Sequence, residues 1–128
     1  MMTKKRALIL VDHGSVVGEA NDMLVKIANM VRQSNKCAFD IVHHAHMELA
    51  EPTISQAFDA CILEGASEII VHPYFLAPGE HSTKDIPKMV EEAAKKHPGV
   101  FYRVTEPLGL HSKIIEVVLE RANINIRD

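Results

Sequence analysis

Four short apolar runs rich in β-branched residues, 7–11, 39–45, 68–75 and 100–105, alternate along the chain with four segments of helical period. The first helical stripe is Leu24, Ile27, Ala28 and Val31, and the second Ile54, Ala57, Phe58, Cys61 and Ile62. Met89, Val90, Ala93 and Ala94 mark the third, and Ile114, Ile115, Val118 and Leu119 the fourth. Gly65 and Pro98-Gly99 supply stops, and Thr53-x-x-Gln56 reads as a capping box. Because strand–helix–strand crossovers are right-handed, this alternation predicts an α/β fold: a single-domain open parallel sheet of four strands with helices on both faces, flavodoxin-like in architecture. At 128 residues there is material for one hydrophobic core, so residues 1–128 are read as one domain.

In such a sheet ligands gather at the carboxyl edge of the strands. The loops expected there cover 12–21, 47–52, 77–85 and 106–111, so the polar residues in them are the candidates for chemistry. His13 follows the first apolar run and His81 follows the third, each in a glycine-flanked loop. Two imidazoles far apart in sequence can thereby converge on one metal ion. Glu48 is placed by strand alternation on the side of His44 and His46, whereas Glu51 falls beside the next helix start, where a carboxylate favours the dipole. His13, His81 and Glu48 together describe an open site for a borderline divalent cation, of the catalytic rather than the structural kind.

The other candidates carry blander readings as well. His13-Gly14-Ser15 leads into a helix, so Ser15 and nearby N–H groups can receive an anion, although neither a dinucleotide fingerprint nor a P-loop is present. Segment 78–87 is long for a connection of this type, which marks it as a binding loop. Asp85 is expected to cap the following helix, with Pro87 in its first turn. His43, His44 and His46 lie on alternating faces of one strand and cannot all reach one ion. His72 and His97 read as structural or solvated residues.

Composition narrows the partners. Net charge is -3 and the basic residues are dispersed, which argues against a nucleic-acid partner. The first apolar run ends at Asp12, too short for a signal-peptide core or a spanning helix, so neither membrane insertion nor export is expected and a cytoplasmic location is. Cys37 and Cys61 have no metal-knuckle spacing, and Cys61 falls on a core-facing stripe.

Four segments then carry a resemblance: His13-Gly14-Ser15; Ala45-His46-Met47-Glu48-Leu49-Ala50-Glu51-Pro52; Pro73-Tyr74-Phe75-Leu76-x-x-Gly79-x-His81-x-x-x-Asp85-Ile86-Pro87; and Pro107-Leu108-Gly109-x-His111. Over nearly the whole chain they resemble the small sirohydrochlorin chelatases. The resemblance implies a lyase-class enzyme that inserts Fe2+ or Co2+ into sirohydrochlorin, on the route to sirohaem or cobalamin, with the metal as substrate and no tightly bound cofactor. It implies that His13 and His81 bind the metal and that Glu48 assists.

Ser15, Ser82, Thr83 and Lys84 are then the candidates for contact with the carboxylates of the macrocycle, and His46 and His111 are possible accessories. Two positions depart from the family pattern, which usually has Gly before the first histidine and Arg after the serine; here they are Asp12 and Val16. Asp12 with the His46 to Pro52 run is similar to sirohaem-type ferrochelatases and favours iron. A flat macrocycle needs walls on both faces, and longer chelatases resemble two such domains in one chain, so a homodimer is expected. The competing reading is a non-catalytic metal-binding or metallochaperone module on the same fold. A receiver-type signalling domain would need an aspartate where Phe75-Leu76-Ala77 stands.

Overall fold

The structure is a computed structural model that describes residues 4–123, apart from Ser82. Its elements follow in the order β1 Lys5–Asp12, α1 Gly18–Gln33, β2 Ile41–His46, α2 Ile54–Leu63, β3 Ala66–Pro73, a π-helical turn His81–Asp85 running into α3 Ile86–Lys95, β4 Phe101–Val104 and α4 Ser112–Asn123. All four strands pair in parallel, in the order β2-β1-β3-β4. The chain therefore steps from β1 to β2 on one side and returns across β1 to β3 on the other. That reversal makes the gap between the ends of β1 and β3 the topological switch point, where an open α/β sheet has a crevice.

The reversal also divides the helices between the two faces, because right-handed crossovers in opposite directions land on opposite faces. Strand alternation sends Ile9 and Val11 to one face, where they pack with Phe58 and Cys61 of α2 and Ile86 and Val90 of α3. Leu10 and Val42 meet Leu24 and Ala28 of α1 on the other face. Burial raises the Cys61 thiol to about 12, with the nearby Glu64 charge adding to the effect, so it stays protonated in the core. No side chain of α4 is buried, and Ile115, Val118 and Leu119 are about half exposed.

Two expectations change at the carboxyl edge. Segment 78–87 is not loop throughout, since its second half coils into the π-helical turn, closed by the Ile86 N–H donating to the His81 carbonyl. Asp85 consequently makes no side-chain cap. An N-cap needs extended backbone, and Asp85 already has helical φ and ψ of -70° and -46° inside a continuous coil. The Thr53 capping box forms as expected, with the Thr53 hydroxyl accepting from the Gln56 N–H and the Gln56 amide accepting from the Thr53 N–H.

Candidate metal and proton-transfer site

Backbone hydrogen bonds build the site before its side chains do. As β1 and β2 leave the sheet side by side, the Met47 N–H donates to the Asp12 carbonyl at 2.8 Å and the Glu48 N–H to the His13 carbonyl at 3.0 Å. Gly14 makes this approach possible. Its φ of +96° is in the region that favours glycine, and a Cβ there would lie 1.9 Å from the Glu48 carbonyl oxygen. Glu48 is thus brought to His13 by the meeting of two loops.

The side chains complete the junction. His13 Nε2 lies 2.9 Å from Glu48 Oε1, and the His13 and His81 rings meet edge to face with centroids 5.1 Å apart. All three side chains are about half exposed. The convergence expected of the two imidazoles is present, across the β1/β3 switch point.

Hydrogen-bond chemistry sets which nitrogens are available. The Gly14 carbonyl, 3.1 Å from His13 Nδ1, can only accept, so Nδ1 carries the hydrogen and Nε2 turns to Glu48. A 2.9 Å contact between Nε2 and a carboxylate oxygen then needs one proton between them. His81 Nδ1 lies 3.0 Å from Asp85 Oδ2, a group that only accepts, so in the neutral ring the hydrogen sits on Nδ1 and Nε2 keeps the lone pair. Both imidazoles therefore have Nδ1 tied down, the arrangement in which a metal-binding histidine is held by the group behind it. Among the described residues no three His, Cys, Asp or Glu side chains are already gathered as a metal cage.

The remaining candidates take different places. His46 is 1% exposed and sits beneath the site, with Nδ1 2.6 Å from Asp12 Oδ1. It is a buried partner of the residue that precedes His13. His44 packs against it with ring centroids 5.6 Å apart, and burial, with help from the neighbouring His46 and His43, holds His44 below the ordinary imidazole range. His43 pairs with Glu64 at 2.7 Å, away from the carboxyl edge. His111 Nδ1 accepts from the Lys113 N–H at 3.1 Å, where α4 begins.

The groups expected to contact substrate carboxylates are held locally. Ser15 is clamped by Asn21, whose side chain accepts from the Ser15 N–H and donates to its carbonyl, while Ser15 Oγ accepts from the Val17 N–H and keeps its own hydrogen to donate. Thr83 donates its hydroxyl to the Gly79 carbonyl at 2.6 Å, and Lys84 Nζ lies 3.5 Å from Glu80 in an exposed pair. Ser82 lies outside the described residues. The partnership of Asp85 with His81 was missed by sequence reasoning, although an acid four residues after a histidine is a signal when the intervening segment is helical.

Around these polar groups each loop of the carboxyl edge exposes a large apolar side chain: Val16 after β1, Leu49 after β2, Leu76 after β3 and Leu110 after β4. Leu76, Pro78, Pro107 and Leu110 line a shallow cavity of about 360 Å³ beside the β3 and β4 loops. No helix among the described residues is long and apolar enough to cross a membrane.

The chain is 45% identical over 114 residues to the chloroplastic sirohydrochlorin ferrochelatase of Arabidopsis thaliana, an alignment covering 89% of this chain and 50% of that protein. It is 35% identical to the sirohydrochlorin cobaltochelatase of Methanocaldococcus jannaschii, with 91% of this chain and 96% of that one aligned. In structure it is similar to SirB from Bacillus subtilis with Fe3+, at a TM-score of 0.87 and 28% identity, covering 96% of this chain and 48% of SirB. The chain thus spans about half the length of the plant and Bacillus relatives and nearly all of the archaeal one. The CbiX family model matches residues 7–125, and the chain belongs to the CbiX family.

Proposed function

We propose that this protein is a lyase-class chelatase that inserts Fe2+ or Co2+ into sirohydrochlorin, in sirohaem or cobalamin synthesis. The observation that carries the reading is the junction at the switch point, where two imidazoles with oriented nitrogens stand with a carboxylate in contact with one of them. Insertion replaces two pyrrole N–H protons by a divalent ion, so the site must hold the ion loosely and receive protons close by. His13 Nε2 and His81 Nε2 offer lone pairs to the ion. When the ion takes the His13 lone pair, the proton shared with Glu48 passes to solvent, and the carboxylate then accepts the two pyrrole protons in turn, handing each on to solvent. Imidazole and carboxylate suit both Fe2+ and Co2+.

The substrate is a flat polyanion, and the exposed Val16, Leu49, Leu76 and Leu110 offer apolar surface to its faces. Ser15, Ser82, Thr83 and Lys84 are assigned to its carboxylates, a role that for Lys84 requires leaving Glu80. His46 acts from beneath the site through Asp12, and His111 stays an accessory at the rim. The active form is assigned as a homodimer, since one carboxyl edge offers one wall and α4 presents an uncovered apolar stripe. The unpaired thiols of Cys37 and Cys61 fit a reducing compartment such as the cytoplasm.

The test is the absorption spectrum of sirohydrochlorin incubated with protein and Co2+ or Fe2+. Conversion to the metallated spectrum at a rate proportional to protein concentration is expected. Tight metal binding with the macrocycle spectrum unchanged would establish a metal-carrying module instead.

A further inference from the structure

We propose that Asp85 is a positioning residue for His81, selecting the tautomer and ring orientation in which His81 offers Nε2 to the metal ion; this rests on the metal-site reading given above. Three observations carry it. The Asp85 carboxylate is 3.0 Å from His81 Nδ1, in hydrogen-bonding geometry. It makes no cap to α3, the ordinary structural use of an aspartate at a helix start, so its side chain is not spent on the helix. The π-helical turn His81–Asp85 carries both residues on one local coil, four residues apart, so that the carboxylate and the ring lie on the same side.

The chemistry follows from the carboxylate being an acceptor only. Bonded to it, His81 keeps its hydrogen on Nδ1 and cannot present Nδ1 to an ion, and the ring is held against rotation about its Cβ–Cγ bond. Without it, the neutral ring distributes its hydrogen between the two nitrogens and turns freely in a half-exposed position. Each change lowers the fraction of molecules in which Nε2 carries the lone pair on a ring held beside His13. Losing such an outer partner costs roughly 10–100-fold in metal affinity.

The experiment compares wild type with Asp85→Ala, Asp85→Asn and His81→Ala by three readouts: Co2+ affinity without macrocycle from the visible absorption of the bound ion, separate KM values for metal and macrocycle, and the metal-free tautomer of His81 by long-range 1H–15N NMR. Wild type is expected to hold His81 as the Nδ1–H form, and Asp85→Ala to lose that preference. Asp85→Ala should weaken Co2+ binding about 10–100-fold and raise the metal KM, with the macrocycle KM unchanged. Asp85→Asn keeps an acceptor oxygen and should recover most of the affinity, which also tests the idea should the alanine variant fold poorly.

Wild-type Co2+ affinity and an unchanged His81 tautomer in Asp85→Ala would overturn the proposal, as would a change confined to the macrocycle KM. If His81→Ala also bound Co2+ like wild type, the metal site itself would be misplaced, a failure distinct from that of Asp85 alone.

Discussion

His13 has two ring nitrogens and both are committed, one to the Gly14 carbonyl and one to Glu48, so in the proposed reaction it is the residue that would link metal binding to proton transfer. Removing either imidazole takes a lone pair from a site that has few. His13→Ala and His81→Ala are each expected to abolish most Co2+ binding and turnover together, measured by equilibrium titration and initial insertion rates. Normal turnover in His81→Ala would remove the convergent-histidine site. Glu48→Gln preserves shape and can donate to His13 Nε2, but it cannot accept a pyrrole proton. It should slow insertion roughly 100-fold or more while macrocycle binding persists.

His97 is the contrasting case, since its Nε2 lies 2.7 Å from Asp59 Oδ1 and joins the end of α3 to α2. His97→Ala should leave insertion kinetics unchanged and lower stability by about 0.2–1 kcal/mol in a urea titration, the range for a partly exposed ion pair.

Among the elements, the turn leaving β1 holds the site together through a backbone contact. Gly14 lets the Glu48 carbonyl come where a side chain would otherwise stand, so Gly14→Ala both strains the backbone and pushes the β2 loop away. A loss of at least about 1–3 kcal/mol is expected from the backbone conformation alone. Insertion should slow with it as Glu48 leaves His13, and a destabilised variant with an undiminished rate would show that this packing does not place Glu48. Thr53→Ala is the matched control on the same face of the fold. It removes the hydroxyl half of the capping box while leaving the backbone bridge between Thr53 and His46 in place, and should cost about 1 kcal/mol, seen as a lower Tm at constant kcat.

At the scale of the whole molecule, half-buried histidines make folding sensitive to acid. His72, 2.9 Å from the Thr105 hydroxyl, is held below the ordinary 6.5 chiefly by burial. The unfolded chain therefore binds a proton near pH 6.5 that the folded chain resists, so this residue's contribution falls as pH drops below that value; His44 acts with the same sign. Asp59 is shifted down by the His97 hydrogen bond first and then by Lys96, so its contribution is present above about 3.8 and is lost only in stronger acid. His72→Gln should consequently lose less stability than wild type between pH 7.5 and 5.5, compared by urea midpoints. An equal or larger loss would show that burial of His72 does not penalise its charge. The homodimer assigned to the active form predicts twice the monomer mass by light scattering at assay concentrations, and a fully active monomer would refute it.

Local signals carried much of this molecule. Helical periodicity located α1 to α4, the Thr53-to-Gln56 spacing marked a cap that forms, and the strand-to-loop positions of His13 and His81 put both at the carboxyl edge, because each depends on residues only a few positions apart and on the fixed hand of the crossovers. The strand order β2-β1-β3-β4 belongs to the tertiary structure, and it is what puts β1 beside β3 and brings the two rings to 5.1 Å. Strand alternation places Glu48 with His44 and His46, but the strand ends at His46, and beyond it a hydrogen bond to the His13 backbone decides where the side chain goes. The same limit explains His46, which turns to Asp12, and Asp85, which leaves its expected cap for His81. Periodicity describes a residue only while its backbone is regular, and at the ends of strands and helices the unpaired groups choose partners through contacts that the chain order does not display.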